Sequence, residues 1–207
     1  MSAPSYIRRH INNLKSDKPF SIRDFLIYGP RNTVDQVFHR LLVEGRIVRV
    51  ARGVYIKETA PMPSPLAVIQ VKAAAFGRTI ATHGSQALAQ LVSKSKRQGN
   101  MVFATNGAST SFRVGRLVIR LIHVSARQMQ LADSPVGLTI RALWHLGKRV
   151  CDAEMAALAL VQFRRQDKKA LRLAAPLMPQ WLRDCFASFA RMNCLQRDLE
   201  PLLTSAT

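Results

Sequence analysis

From Thr59 through Ala132 the sequence carries no carboxylate side chain. Two-metal phosphoryl transfer and glycosidic cleavage need a clustered pair of acids to hold Mg²⁺ or to move protons, and the middle third cannot supply one. A non-enzymatic protein without a cofactor is therefore expected. Long apolar runs are missing too: no stretch reaches the roughly 18 residues of a membrane span. The start, MSAPSYIRRHINNLK, lacks the apolar run and cleavage site of a signal peptide, so a soluble, cytoplasmic protein is expected, with no membrane partner. Cysteine is sparse. Cys151, Cys185 and Cys194 form no CxxC pair and have no closely spaced histidine, which argues against a disulfide framework and a structural zinc site and fits a reducing compartment. The five histidines, His10, His39, His83, His123 and His145, also lack metal-ligand spacing, so no metal is expected.

What is abundant is positive charge. The 207 residues hold 31 Lys and Arg against 12 Asp and Glu, a formal net charge of +19 and a pI near 11.3, the balance of a polyanion binder with nucleic acid as first suspect. At 48% apolar residues the chain has enough material for one large core or two small ones, which excludes global disorder.

The pattern predicts an α+β protein. Ile7, Ile11 and Leu14 form the stripe of a first helix, and Pro19 ends it. Ser21 is placed to cap a second short helix, with Asp24 at its third position and Ile22, Phe25 and Leu26 as its buried stripe. Val34, Val37, Phe38, Leu41 and Leu42 define a third helix, with Asn32 or Thr33 as cap and Gly45 as a left-handed stop. Residues 47–57 then read as a tight β-hairpin turning at Arg52-Gly53. Three helices and a hairpin in so short a segment follow the winged helix-turn-helix plan. Beyond Pro61, Pro63 and Pro65, a stiff linker, helices are expected after Ser64-Pro65 and over residues 85–92, and strands over 79–82 and 101–105. A hairpin is expected over 112–123 with a turn at Gly115-Arg116, followed by helices from Ser134-Pro135, over 154–172 and over about 180–199. This organisation predicts a winged-helix domain at 1–60, a small mixed α/β domain at 64–150 and a helical C-terminal annex at 151–207.

The buried stripe of the third helix forces Thr33, Gln36, His39 and Arg40 to the solvent side. Arginine reads guanine O6 and N7 with two bonds, and glutamine reads adenine N6 and N7. A polar face opposite a buried stripe is also what any amphipathic helix shows, and the hairpin tips the balance. Arg46, Arg49, Arg52 and Lys57 follow with no acid between Glu44 and Glu58, and such a wing suits phosphates. Arg31 and Asn32 stand at the helix start, beside Thr33. In the second domain Lys94, Lys96, Arg97, Arg113, Arg116, Arg120 and Arg127 carry the charge, toward more nucleic acid or an acidic protein surface. Gly84-Ser85 after a strand resembles a phosphate cradle, but lacks nearby carboxylates, so a helix N-cap is the expected role. Trp144 and Trp181 fall on apolar stripes and are expected in packing.

The run from Val37 to Tyr55, VFHRLLVEGRIVRVARGVY, resembles the helix and wing of AbiEi-type antitoxins. His83-Gly-Ser-Gln-Ala-Leu88, Phe103-Ala-Thr-Asn-Gly-Ala-Ser109, Val114-Gly115-Arg116 and Ala142-Leu143 are similar to the DUF6088 branch of those proteins. The resemblance covers about residues 6–150. It implies a repressor of its own operon, bound to double-stranded operator DNA, whose C-terminal region counteracts a nucleotidyltransferase-like toxin of a type IV toxin-antitoxin system. A homodimer on DNA stays open. The rival reading is an RNA-binding or ribosome-associated basic protein, for which Phe103 and Phe112 are the only candidate stacking aromatics in the middle domain's sheet.

Overall fold

The computed structural model describes residues 2–16, 18–92, 100–131, 133–161 and 163–192. The chain is α+β and divides into two compact units, Met1–Thr79 with Ser111–Ile119, and Ile80–Thr110 with Arg120–Thr207.

The first unit opens with α1, Ala3–Asn13, which buries Ile7 and Ile11. A two-residue strand β1, Phe20–Ser21, leads into a 3₁₀ segment, Ile22–Tyr28. The expected capping box is present: Ser21 Oγ accepts from the Arg23 amide at 3.1 Å, and Asp24 accepts from the Ser21 amide at 3.1 Å. Helix α2, Arg31–Val43, buries Val34, Val37, Phe38 and Leu41. It starts two residues earlier than the stripe suggests. Pro30 stands at its N-cap, so neither Asn32 nor Thr33 serves as cap. Gly45, at φ 68°, ends it as expected: the Arg46 amide reaches back to the Leu41 carbonyl at 2.9 Å.

Strands β2, Ile47–Ala51, and β3, Val54–Lys57, pair antiparallel, and β1 adds to β3, giving the sheet order β1-β3-β2. Arg49 lies opposite Tyr55 but Ala51 opposite Val54, so Val50 is an extra residue in β2, a bulge next to the turn. Phe20, Phe25, Phe38 and Tyr55 interlock in the core, with ring centroids 5.0 Å apart for Phe38 and Tyr55 and 5.1 Å for Phe25 and Phe38. Each such buried side chain contributes roughly 1.5–3 kcal/mol, against about 0–1 kcal/mol for an exposed ion pair. The apolar stripe, not the charges, therefore fixes how α2 is rotated.

The three prolines do not separate two bodies. Ser64 caps α3, Pro65–Ala74, as expected, accepting from the Ala67 amide at 3.2 Å. Val68 of α3 then packs with Ala51 and Val54 of the hairpin, so the first unit runs on to Thr79 rather than stopping at Ala60.

A second sheet has the order β4-β5-β7-β6, with β4 Ile80–Thr82, β5 Asn100–Thr105, β6 Thr110–Val114 and β7 Leu117–His123. In the second unit α4, Gly84–Val92, crosses α6, Pro135–Leu146, at very short range: a Cβ on Gly84 would collide with the Arg141 carbonyl oxygen and the His145 Cβ. Between them in sequence lies a short helix without an apolar period, α5, Ala126–Gln130. The expected single helix over 154–172 is two, α7 Ala153–Val161 and α8 Arg165–Ala174. Arg164 is extended there, and its amide donates to Asp167 at 2.8 Å, which caps a new helix instead of continuing the old one. Helix α9, Gln180–Met192, packs Leu182 and Phe186 against Ile140, Leu143 and Leu171, with Trp144 and Trp181 half-buried beside them. The expected helical residues 193–199, like Cys194, lie outside the described residues. No helix among the described residues is long and apolar enough to cross a membrane.

Candidate nucleic-acid interface

With its stripe locked in the aromatic core, α2 exposes Gln36, His39 and Arg40, together with Arg31 and Asn32 at its start. Thr33 is only half-exposed, turned partly toward the core. Arg31 folds back: its Nε lies 2.9 Å from both Asp35 carboxylate oxygens, one helical turn on. At the other end of α2, Arg8 of α1 grips Glu44 through two bonds of 2.8 and 3.2 Å.

These two pairs occupy both acids between Arg31 and Lys57. Arg40, Arg46, Arg49 and Arg52 are all exposed and make no ion pair with any described residue. Arg49 lies opposite Tyr55 across the hairpin; burial pushes the Tyr55 hydroxyl above its usual pKa, and the Arg49 guanidinium partly offsets that shift. Arg52 sits at the turn, where Gly53 adopts φ 81° and lets two strands reverse without a longer loop. Four cations thus stand exposed on α2, on the turn after it and on the hairpin that follows, without an ion pair among the described residues, an arrangement that attracts anions.

Lys57 does not join them. Its ammonium donates to the carbonyl oxygens of Asn12, at 2.7 Å, and of Leu14, so it closes the C-terminal end of α1 and is half-buried. Of the basic residues assigned to the second domain, Arg113 and Arg116 are exposed but belong to the first unit. Arg120 and Arg127 are exposed in the second. Lys94, Lys96 and Arg97 lie outside the described residues.

Two features of the second unit escaped the sequence reading. Arg141, 3% exposed, is bonded to Asp133 and to the Leu131 carbonyl, with longer contacts of 3.4 Å to the Gln128 carbonyl. Asp133 in turn accepts from the Thr82 amide and hydroxyl at 3.4 and 3.3 Å. The first carboxylate after the acid-free stretch is therefore spent on a buried arginine, and ties β4 to α6. His83, the second feature, accepts the Ser85 amide at Nδ1, 3.2 Å away, while the Ser85 hydroxyl lies 2.8 Å from the same nitrogen. The expected N-cap role of Gly84-Ser85 is not met: α4 already begins at Gly84, so His83 stands at the cap and its ring takes the Ser85 amide, while Gly84 is pressed against α6.

Neither candidate stacking aromatic of an RNA platform is exposed. Phe103 is buried, and Phe112 is half-buried with the Lys72 ammonium 4.8 Å from its ring centroid.

A protein-family model described as a family of unknown function, DUF6088, matches residues 6–171, about four-fifths of the chain and further than the 6–150 expected. No curated protein and no solved structure matches.

Proposed function

The chain belongs to the DUF6088 family of unknown function, and from its own surface we propose that it is a DNA-binding transcriptional regulator whose first unit is a winged helix-turn-helix. The element order α1, β1, 3₁₀ segment, α2, β2, β3 follows that plan, with α2 as recognition helix and β2–β3 as wing. The observation that carries the reading is the set of arginines without an ion pair among the described residues. Asp35 and Glu44 are taken by Arg31 and Arg8, while Arg40, Arg46, Arg49 and Arg52 stand exposed on one helix, the turn after it and one hairpin.

Within this reading Gln36, His39 and Arg40 enter the major groove and read base edges. Arg49 and Arg52 hold the backbone. The Arg31–Asp35 pair is exposed and cheap to exchange for a phosphate. The likeness of residues 37–55 to AbiEi-type antitoxins extends the proposal: the protein represses its own operon in the cytoplasm, and its second unit counteracts a nucleotidyltransferase-like toxin. The RNA-binding alternative loses support because Phe103 is buried and Phe112 is half-buried with Lys72 over its ring.

The test separates two pairs of variants on DNA selected from a randomised pool. Arg40→Ala and Gln36→Ala relax preference at particular base pairs, each lost bidentate contact removing about 1–3 kcal/mol of discrimination. Arg49→Ala and Arg52→Ala weaken binding to every sequence alike, and the slope of log K against log salt shrinks by about 0.9 per residue. Equal losses in both pairs with an unchanged slope would sink the assignment.

A further inference from the structure

The arginines of the two hairpins are far apart in sequence but not in the fold. Ser111–Ile119, which holds the turn of the second hairpin, lies in the same compact unit as the first hairpin. Val114 packs on the cluster of Ala51, Val54 and Val68, and the first two of these flank the Arg52-Gly53 turn. Lys72 of α3 completes the join. Its ammonium donates to the Arg52 carbonyl at 2.7 Å and also covers the Phe112 ring. Burial holds the Lys72 pKa below its ordinary value, and Arg52 and Arg49 lower it further, a sign of how much positive charge already meets at this point.

These contacts fix the second turn beside the first. Arg113 and Arg116 stand one and two residues from Val114, so their Cα atoms lie within about 4 and 8 Å of it. Both are exposed, and neither has an ion-pair partner among the described residues. Three apolar side chains of this hairpin segment are committed to packing: Val114 onto the cluster, Phe112 beneath Lys72, and Ile119 fully buried, while Leu117 and Val118 are half-buried. What it offers to solvent at its tip is the two guanidinium groups. Gly115, at φ 57°, keeps that tip as tight as the Gly53 turn next to it.

We infer that Ser111–Ile119 is a second wing, whose Arg113 and Arg116 extend the DNA-backbone contact of Arg49 and Arg52 along the duplex. The inference rests on the winged-helix reading above and adds to it. Guanidinium groups pair with phosphate oxygens through parallel bonds, so the second wing supplies affinity and register without reading sequence. The absence of acids from residues 45–57 and 111–119 fits this, because a carboxylate on either turn would face the same phosphates.

The experiment measures binding of the full-length chain to a short mixed-sequence duplex over a range of salt, with hydroxyl-radical footprints of each complex. Four proteins are compared: wild type, Arg49→Ala with Arg52→Ala, Arg113→Ala with Arg116→Ala, and Arg165→Ala as a control on α8 of the other unit. All substituted side chains are exposed, and circular dichroism checks that each variant is folded. The expected result is a slope smaller by about 1.8 in each double variant and unchanged in the control. The two double variants lose protection at different, neighbouring phosphates. If only the Arg49 and Arg52 variant loses slope, the second wing is refuted and the first stands. If neither double variant changes it, the winged-helix reading fails and this inference with it. If only the Arg113 and Arg116 variant changes it, the joint surface is refuted, because the second hairpin then binds without the first.

Discussion

At the scale of single residues, His83 shows how a motif with a functional look is used up by local structure. Its ring nitrogen takes the Ser85 amide, its ring lies 5.2 Å from that of His145, and Gly84 is pressed against α6. Burial pushes the His83 pKa below its ordinary 6.5, and the neighbouring His145 pushes it the same way. The sign of the consequence follows. The folded protein prefers the neutral ring, so the unfolded chain binds the proton first as pH falls through 6.5. Stability is therefore full above that pH, declines as pH drops toward the depressed folded value, and levels off below it. We expect the melting temperature to fall across this window in the wild type and to fall less in His83→Asn, whose Oδ1 stands where Nδ1 stood and can still accept from Ser85. Identical pH profiles for the two proteins would show that His83 carries no such linkage. Arg141 and Asp133 make the same point about charge: in a chain with 12 acids, one is committed to a buried guanidinium rather than to chemistry.

At the scale of elements, the sequence was legible wherever a local rule decides. The stripe of α2, the Ser21–Asp24 capping box, the Ser64 cap, the Gly45 stop and both glycine turns are each set by residues within a few positions of one another. Helix α5 and strand β1 were missed because neither has a periodic signal: five and two residues are too few to show one. The break between α7 and α8 leaves little mark in the sequence: residues 164–169, RRQDKK, are strong helix formers apart from Asp167, and the Asp167 cap acts on the backbone as one charged side chain among several. The outward residues of α2 were legible from the buried stripe alone. Lys57 was not, because its partners are carbonyls more than forty positions upstream. Replacing it with Met leaves the end of α1 without its cation and is expected to cost about 1–2 kcal/mol of stability. The salt slope of DNA binding should stay as in the wild type, since this ammonium faces α1. A slope reduced by about one with unchanged denaturation would return Lys57 to the phosphate contacts.

At the scale of the whole chain, alternating prolines and a change of period suggest that folding units meet near residue 60, and contacts of long sequence range move that boundary. Val68, fully buried, closes the hairpin cluster of Ala51 and Val54 from beyond the prolines, and Val114 reaches the same cluster from the second hairpin. A fragment ending at Ala60 keeps the aromatic core but uncovers this second cluster, and small domains of that size are already marginal. Removing a fully buried valine alone costs on the order of 1–3 kcal/mol, so the fragment should lose a large share of its stability. A fragment ending at Thr79 restores Val68 and should recover most of it, lacking the contributions of Val114 and of Phe112 beneath Lys72. Urea denaturation of the two fragments checks the order. Equal midpoints would mean that α3 adds nothing and that the prolines do mark the boundary. DNA binding should follow a different order from stability. The Thr79 fragment, once folded, retains Arg40, Arg49 and Arg52 but not Arg113 and Arg116, so its salt slope should remain below that of the full chain by about 1.8 even where it is fully folded.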